Sequence, residues 1–181
     1  MNNDHQIKSK DWQPRILAFL CNWCSYAGAD LAGVSRLQYP PNVRIVRVPC
    51  SGRVNPAYIL KALQNGVDGV LVSGCHPGDC HYLTGNYHAR RKFHLLKELL
   101  DFVGVEDGRV QFSWVSAAEG AKFSQVMTEV TEKVRALGPN RCLAKQGRGD
   151  DGYAGWDEPV WKSSAHEGVE KPDAIKRVPP Y

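Results

Sequence analysis

Three short apolar runs in this sequence each end on a cysteine. Ile16-Leu17-Ala18-Phe19-Leu20 runs into Cys21, Val43-Arg44-Ile45-Val46-Arg47-Val48-Pro49 into Cys50, and Val70-Leu71-Val72-Ser73-Gly74 into Cys75. Cys24 and Cys80 follow their neighbours in a C-x2-C and a C-x4-C. If the three runs are adjacent parallel strands, all five sulfurs converge on one edge of one sheet. Open α/β sheets place ligands outside the carboxyl ends of their strands, where connections diverge. The pattern therefore points to a thiolate-bound metal centre rather than to five unrelated buried thiols.

Four strand–helix units can be read between residues 14 and 137. A strand near Arg15–Leu20 precedes a helix near Tyr26–Leu37, which is rich in small residues (Ala27, Gly28, Ala29, Ala32, Gly33). Glycine costs about 1 kcal/mol relative to alanine in a helix, so something approaches this backbone closely: the sheet, or a docked partner or cluster. The second strand, Val43–Val48, leads to a helix with Asn55 as N-cap, Pro56 at its first position and Gly66 past its end. The third, Gly69–Ser73, is continuously apolar, as suits a parallel sheet covered on both faces.

After the Cys75–His81 loop, a helix from about Asn86 to Val103 places Phe93, Leu96, Leu99, Leu100 and Val103 at helical spacing, and Gly104 ends it. The fourth strand, Arg109–Val115, alternates Val110, Phe112 and Trp114. Ser116-Ala117-Ala118-Glu119 has the form of a capping box. The last helix repeats Phe123, Met127, Val130, Val134 and Leu137 before Gly138-Pro139. Strands alternating with helices across short loops predict an α/β fold. We expect a flavodoxin-like or Rossmann-like open parallel sheet of about four strands, with helices on both faces and right-handed crossovers.

The expected organisation is an N-terminal extension over 1–14, one domain over 15–138 and an irregular tail over 139–181. The tail has few aliphatic residues but carries Trp156 and Trp161. It suits either a disordered terminus or a strap packed on a partner protein. The 181 residues, 43% hydrophobic and 23% charged, are ordinary for a globular protein. A net charge of +4, with basic residues scattered rather than interleaved with aromatics, argues against nucleic-acid binding. The first 15 residues are polar, and the apolar run after them is too short for a signal h-region or a membrane span. The expected compartment is the cytoplasm, where thiols stay reduced and six cysteines do not form a disulfide framework. Cys142 stands apart from the other five and is given no role.

Thiolates select zinc, copper(I) or iron–sulfur clusters. Structural zinc takes four ligands, usually from two short knuckles. Here Cys50 separates the two paired motifs, one cysteine is left over, and the domain has a core of its own. A [2Fe–2S] cluster also takes four cysteines, over a wider footprint that three strand-end loops can supply. Spacing places iron–sulfur ahead of zinc, and zinc ahead of a thioredoxin-like dithiol at Cys21-Asn22-Trp23-Cys24. A dithiol exchanger leaves Cys50, Cys75 and Cys80 unexplained. The residues therefore keep three readings open: a cluster-bearing electron carrier, a zinc-stabilised scaffold and a dithiol oxidoreductase.

His76 and His81 lie inside Gly74-Cys75-His76-Pro77-Gly78-Asp79-Cys80-His81. Both are candidate cofactor-binding residues. Histidine ligation raises a cluster's potential, though a histidine beside cysteine ligands more often donates from outside the ligand set. Arg53 is a candidate positive charge beside a cluster or a partner's cofactor, or else an ordinary surface residue before the second helix. There is no G-x-G-x-x-G, P-loop or G-x-S-x-G motif, and Asp30, Asp68 and Asp79 show no pairing. That suits a relay protein, with no catalytic residue of its own, better than a complete enzyme.

Together, Cys21-Asn22-Trp23-Cys24-Ser25-Tyr26, Arg47-Val48-Pro49-Cys50-Ser51-Gly52-Arg53 and Gly74-Cys75-His76-Pro77-Gly78-Asp79-Cys80-His81-Tyr82 resemble one family. It is the iron–sulfur delta subunit of methyl-viologen-reducing, non-deazaflavin-reducing [NiFe] hydrogenase. The resemblance runs from about Ile16 to Leu137, including Gly85-Asn86 and Ser116–Gly120, and leaves out the tail. It implies a [2Fe–2S] protein that passes electrons between a hydrogenase and the flavin subunit of a heterodisulfide-reductase-like complex, with FAD in the partner rather than in this chain. Related subunits serve formate dehydrogenase, methylenetetrahydrofolate reductase and tungsten-dependent benzoyl-CoA reductase in anaerobic metabolism. Of the metal-ligand candidates Cys21, Cys24, Cys50, Cys75 and Cys80, the resemblance implies four ligands. We lean toward Cys24, Cys50, Cys75 and Cys80, with Cys21 an alternative ligand or a nearby thiol.

Overall fold

A computed structural model describes residues 12–143. The tail from Asn140, with its two tryptophans, lies outside the described residues apart from its first few positions. Four strands, β1 (Ile16–Cys21), β2 (Val43–Val48), β3 (Gly69–Gly74) and β4 (Val110–Trp114), form one parallel sheet in the order β2-β1-β3-β4. The helices are α1 (Ser25–Val34), α2 (Pro56–Gln64), α3 (Gly85–Phe102) and α4 (Gly120–Leu137), with a single 3-10 turn at Ser51–Arg53. α1 and α4 pack together on one face, and α2 and α3 on the other. This is the expected open α/β sheet.

The main core lies under α1 and α4. Ile16, Ala18 and Leu20 alternate along β1 and meet Leu71, Val115, Ala32, Phe123, Met127, Val130 and Val134. The small residues of α1 have a plain cause. A Cβ on Gly28 would stand 2.8 Å from the Ser116 carbonyl oxygen, and one on Gly120 would stand 3.0 Å from the Ala32 nitrogen. What approaches α1 is therefore the segment that leaves β4 at Val115–Ser116, together with the first residue of α4, rather than a cluster.

Local signals also explain the helix ends. Asn55 Oδ1 accepts from the Ala57 amide at 2.9 Å, Pro56 opens α2, and Gly66 follows it with φ +84°. The capping box at Ser116 needs correction, because α4 begins only at Gly120. Glu119 does reach back to the Ser116 amide, at 2.7 Å, but residues 117–118 form a turn. The apolar periodicity of α3 also overstates its buried face. Leu96 and Leu100 are buried, whereas Leu99 and Val103 are exposed. A helix of 18 residues is about 27 Å long, and it overhangs strands of five or six residues at about 3.3 Å each.

The amino edge of the sheet is locked by polar groups. Arg109 is fully buried, grips Glu106 at 2.6 and 3.0 Å, and donates to the carbonyls of Asp68, Leu137, Gly138 and Pro139. The Asp68 carboxylate accepts from the amides of Arg15 and Asn140. The opposite, carboxyl edge carries the cysteines.

Candidate metal centre

Strand order does most of the assembly. β1 lies between β2 and β3, so the three strands that run into cysteine are neighbours. Cys21 is the last residue of β1, Cys75 the first beyond β3, and Cys50 stands two residues past β2. Cys24 occupies the N-cap of α1, and Cys80 lies in the loop before α3. All five are buried, between 1% and 6% exposed.

The sulfurs fall into a triad and a pair. Those of Cys21, Cys24 and Cys75 lie within 4.8 Å of one another, with Cys21 and Cys75 4.0 Å apart. Cys50 and Cys80 meet at Gly85, the first residue of α3. A Cβ there would overlap the Cys50 sulfur and stand 3.2 Å from that of Cys80. Gly85 is thus a glycine because two sulfurs occupy the space of a side chain. Cys142 is exposed and bonds to the Val103 carbonyl at 3.4 Å, beside the end of α3.

Backbone amides point into both groups. Those of Trp23 and Ser51 donate to the Cys21 sulfur, and those of Gly52 and His81 to Cys50 and Cys75 respectively. The amides of Asn86, Tyr82 and Gly85 donate to Cys80. The Cys24 thiol is the largest influence on Cys21 and, with these amides and Cys75, brings it from 9.0 to about 5 against the effect of burial. Cys24 moves upward in turn, through that shared proton first and burial second. Burial is the main cause raising Cys50 to about 11, and it also raises Cys75. At Cys80 burial is again the largest influence, but the amides and the Cys50 thiol together outweigh it and lower the thiol. Such opposed shifts belong to a crowd of thiols in which one ionises while its neighbours keep their protons. A bound metal removes the conflict, because its charge favours every thiolate at once. The donor set therefore fits a soft metal centre held by sulfur, with oriented amides to spread its negative charge.

Around the sulfurs, Asn86 is fully buried and donates to the carbonyls of His76 (2.7 Å) and Cys75 (3.4 Å). His76 Nε2 lies 2.7 Å from Glu119 Oε2 and 3.5 Å from Lys122 Nζ. The Ser116 amide, and then His76, hold the Glu119 carboxyl at about 2. His81 is turned outward and stacks on Trp23, with ring centroids 3.7 Å apart and planes 12° from parallel. Arg53 ends the 3-10 turn with an exposed side chain, and its amide donates to the Cys50 carbonyl at 2.9 Å. Sequence reasoning assigns no role at the site to Asn86, Trp23 or Tyr82, and reads Glu119 only as part of a capping box. The Trp23 within the C-x2-C is a visible signal, but nothing local in the sequence pairs Glu119 with His76. A groove of about 870 Å³ runs along α3 and β4, past Arg90, His94, Phe112 and Trp114, and includes no cysteine.

Residues 16–138 match the FlpD family, described as methyl-viologen-reducing hydrogenase, delta subunit. The chain belongs to that family. It is 51% identical over 141 residues to the vhc iron-sulfur subunit of an F420-non-reducing hydrogenase from Methanococcus voltae, covering 78% of this chain and 96% of that one. It is 56% identical over 131 residues to the corresponding iron-sulfur subunit of the F420-non-reducing hydrogenase from Archaeoglobus profundus, covering 72% and 96%. A third similarity, 48% over 126 residues, is to one chain of the ferredoxin:CoB-CoM heterodisulfide reductase of Methanosarcina mazei. There the matching segment covers 70% of this chain but 16% of the longer one. FlpD relatives thus occur both as a separate hydrogenase subunit and as part of a heterodisulfide reductase chain. No helix among the described residues is long and apolar enough to cross a membrane.

Proposed function

We propose that this FlpD chain carries a [2Fe–2S] cluster at the cysteine edge and relays electrons between redox subunits in the cytoplasm. The observation that carries this reading is the set of five buried sulfurs at three neighbouring strand ends, with backbone amides directed at them. Cys24, Cys50, Cys75 and Cys80 would hold the cluster. Cys21, the most buried of the five, stands beside them outside the ligand set. The cluster, when bound, accepts and returns one electron at a time. The chain itself fixes the sulfurs, screens them from water and offers amides to the reduced, more negative state. His76 and His81 act from outside the ligand set. The partners are a hydrogenase, formate dehydrogenase or other redox subunit on one side, and a flavin-containing, heterodisulfide-reductase-like subunit on the other.

The test is iron, zinc and acid-labile sulfide content of anaerobically purified protein, with electron paramagnetic resonance after dithionite reduction. The reading expects iron and sulfide in equal amounts and an S = 1/2 signal on reduction. Cys50→Ser and Cys75→Ser should lose the cluster, and Cys21→Ser should keep it. The close triad also suits a single zinc ion. Zinc without colour would make the cysteines a structural clamp and remove the relay assignment.

A further inference from the structure

The five sulfurs are buried, so a partner cannot touch them and must exchange electrons through whatever covers them. The exposed neighbours of two ligand candidates form a single aromatic platform. Trp23 precedes Cys24 and is 47% exposed, while Tyr82 lies two residues beyond Cys80 and is 50% exposed. His81, next to Cys80, sits between them, stacked on Trp23 and edge-on to Tyr82 with centroids 5.0 Å apart. The Trp23 indole N–H donates to the Tyr82 hydroxyl at 3.2 Å, closing the group. Leu83 extends the platform, 80% exposed and held at φ +65°. A leucine is strained in that left-handed region, and here the backbone keeps it there with an apolar side chain in water.

The charge around this edge is one-sided. Arg53 is exposed beyond Cys50, Lys92 Nζ reaches the Gly52 carbonyl at 2.7 Å, and Arg47 lies over the Tyr26 ring at 4.9 Å. Lys122 stands beside His76. Asp79 opposes them, and Glu119 is already engaged by Ser116, His76 and Lys122. Aromatic residues in a cationic frame suit a protein surface with an apolar centre and an acidic rim.

We propose that Trp23, His81, Tyr82 and Leu83, framed by Arg53 and Lys92, form the docking face for a redox protein whose electron-exchanging surface is acidic. This rests on the cluster reading and adds the place and character of the contact. The aromatic rings orient the partner over the shortest covering of the centre, and the cations raise the encounter rate.

The probes are two one-electron donors mixed with the full-length, cluster-loaded protein in a stopped flow. One is a dithionite-reduced acidic ferredoxin, and the other is the methyl viologen radical cation. In each reaction one electron passes from the donor to the oxidised cluster, and the donor returns to its oxidised form with no bond made or broken. Trp23→Ala and Tyr82→Ala should each slow the ferredoxin reaction about tenfold while leaving the viologen reaction within about twofold. Arg53→Glu should slow the ferredoxin, speed the cationic viologen, and lose both effects in high salt. Trp23→Phe, which keeps a ring on His81, should recover most of the rate. The docking face is overturned if the ferredoxin reacts equally with wild type and variants. It is also overturned if both donors slow together, since the aromatics then merely hold the cluster in place. A wild-type protein without iron would instead remove the cluster reading beneath it.

Discussion

The space that a methyl group on Gly85 would need is taken by the sulfur of Cys50. Gly85→Ala must therefore displace either the start of α3 or the Cys50–Arg53 turn, whose Gly52 also packs on Gly85. We expect the variant to fold, because the main core under α1 and α4 is remote, but to hold its metal about ten- to a hundredfold more weakly. Iron content after gel filtration, beside an unchanged far-ultraviolet spectrum, checks this. Full iron occupancy would show that the pair can open without cost.

Asn86 should matter for stability as well as for the site. It is buried, and its amide group serves two loop carbonyls next to Cys75. Asn86→Ala leaves both without that donor and opens a small cavity, at a cost of about 2–3 kcal/mol. A urea melt of the metal-free protein measures this without interference from binding. A midpoint equal to wild type would refute it.

At the other edge, Arg109→Met should be the more damaging change. The guanidinium donates to four carbonyls and to Glu106, and it is fully buried. Methionine fills much of the volume but none of the bonds, so we expect a loss of about 3 kcal/mol or more. Thermal unfolding tests this, and iron binding at whatever temperature the variant remains folded should be near normal.

The pH dependence expected of Glu119 follows from the sign of its shift. The Ser116 amide and His76 bring its carboxyl from 4.5 to about 2, so the fold favours the charged form. Its contribution is whole above 4.5 and fades as pH falls toward about 2. Wild type should lose stability faster than Glu119→Gln across that window, and the two should run parallel above it. Parallel acid-unfolding curves throughout would show that the contact stabilises nothing.

The fold was largely legible because its signals are local. Asn55, Pro56 and Gly66 mark α2 by backbone chemistry that needs no partner. The cysteine edge was legible for a different reason, since each of three strands writes its own end as a cysteine. What stayed hidden depends on distant residues. Leu99 and Val103 repeat like core positions yet are exposed, Leu99 even though Leu100 beside it is buried. The small residues of α1 announced a close approach without naming the Val115–Gly120 segment as its source. His76 and His81 are chemically alike in sequence. One turns to Glu119, 43 residues away, and the other to Trp23, 58 residues away.

The strand order has one further consequence. Hydrogen bonding holds neighbouring parallel strands at about 4.8 Å, and that spacing is common to parallel sheets of any sequence. Cys21 ends β1 and Cys75 stands one residue beyond the neighbouring β3, so both inherit it, and their sulfurs stand 4.0 Å apart. The sheet thus works as a caliper whose jaws are preset by backbone chemistry. Lengthening a crossover loop would leave the gap unchanged. Sliding β3 by one residue would instead carry Cys75 along the edge by about 3.3 Å and reset the gap.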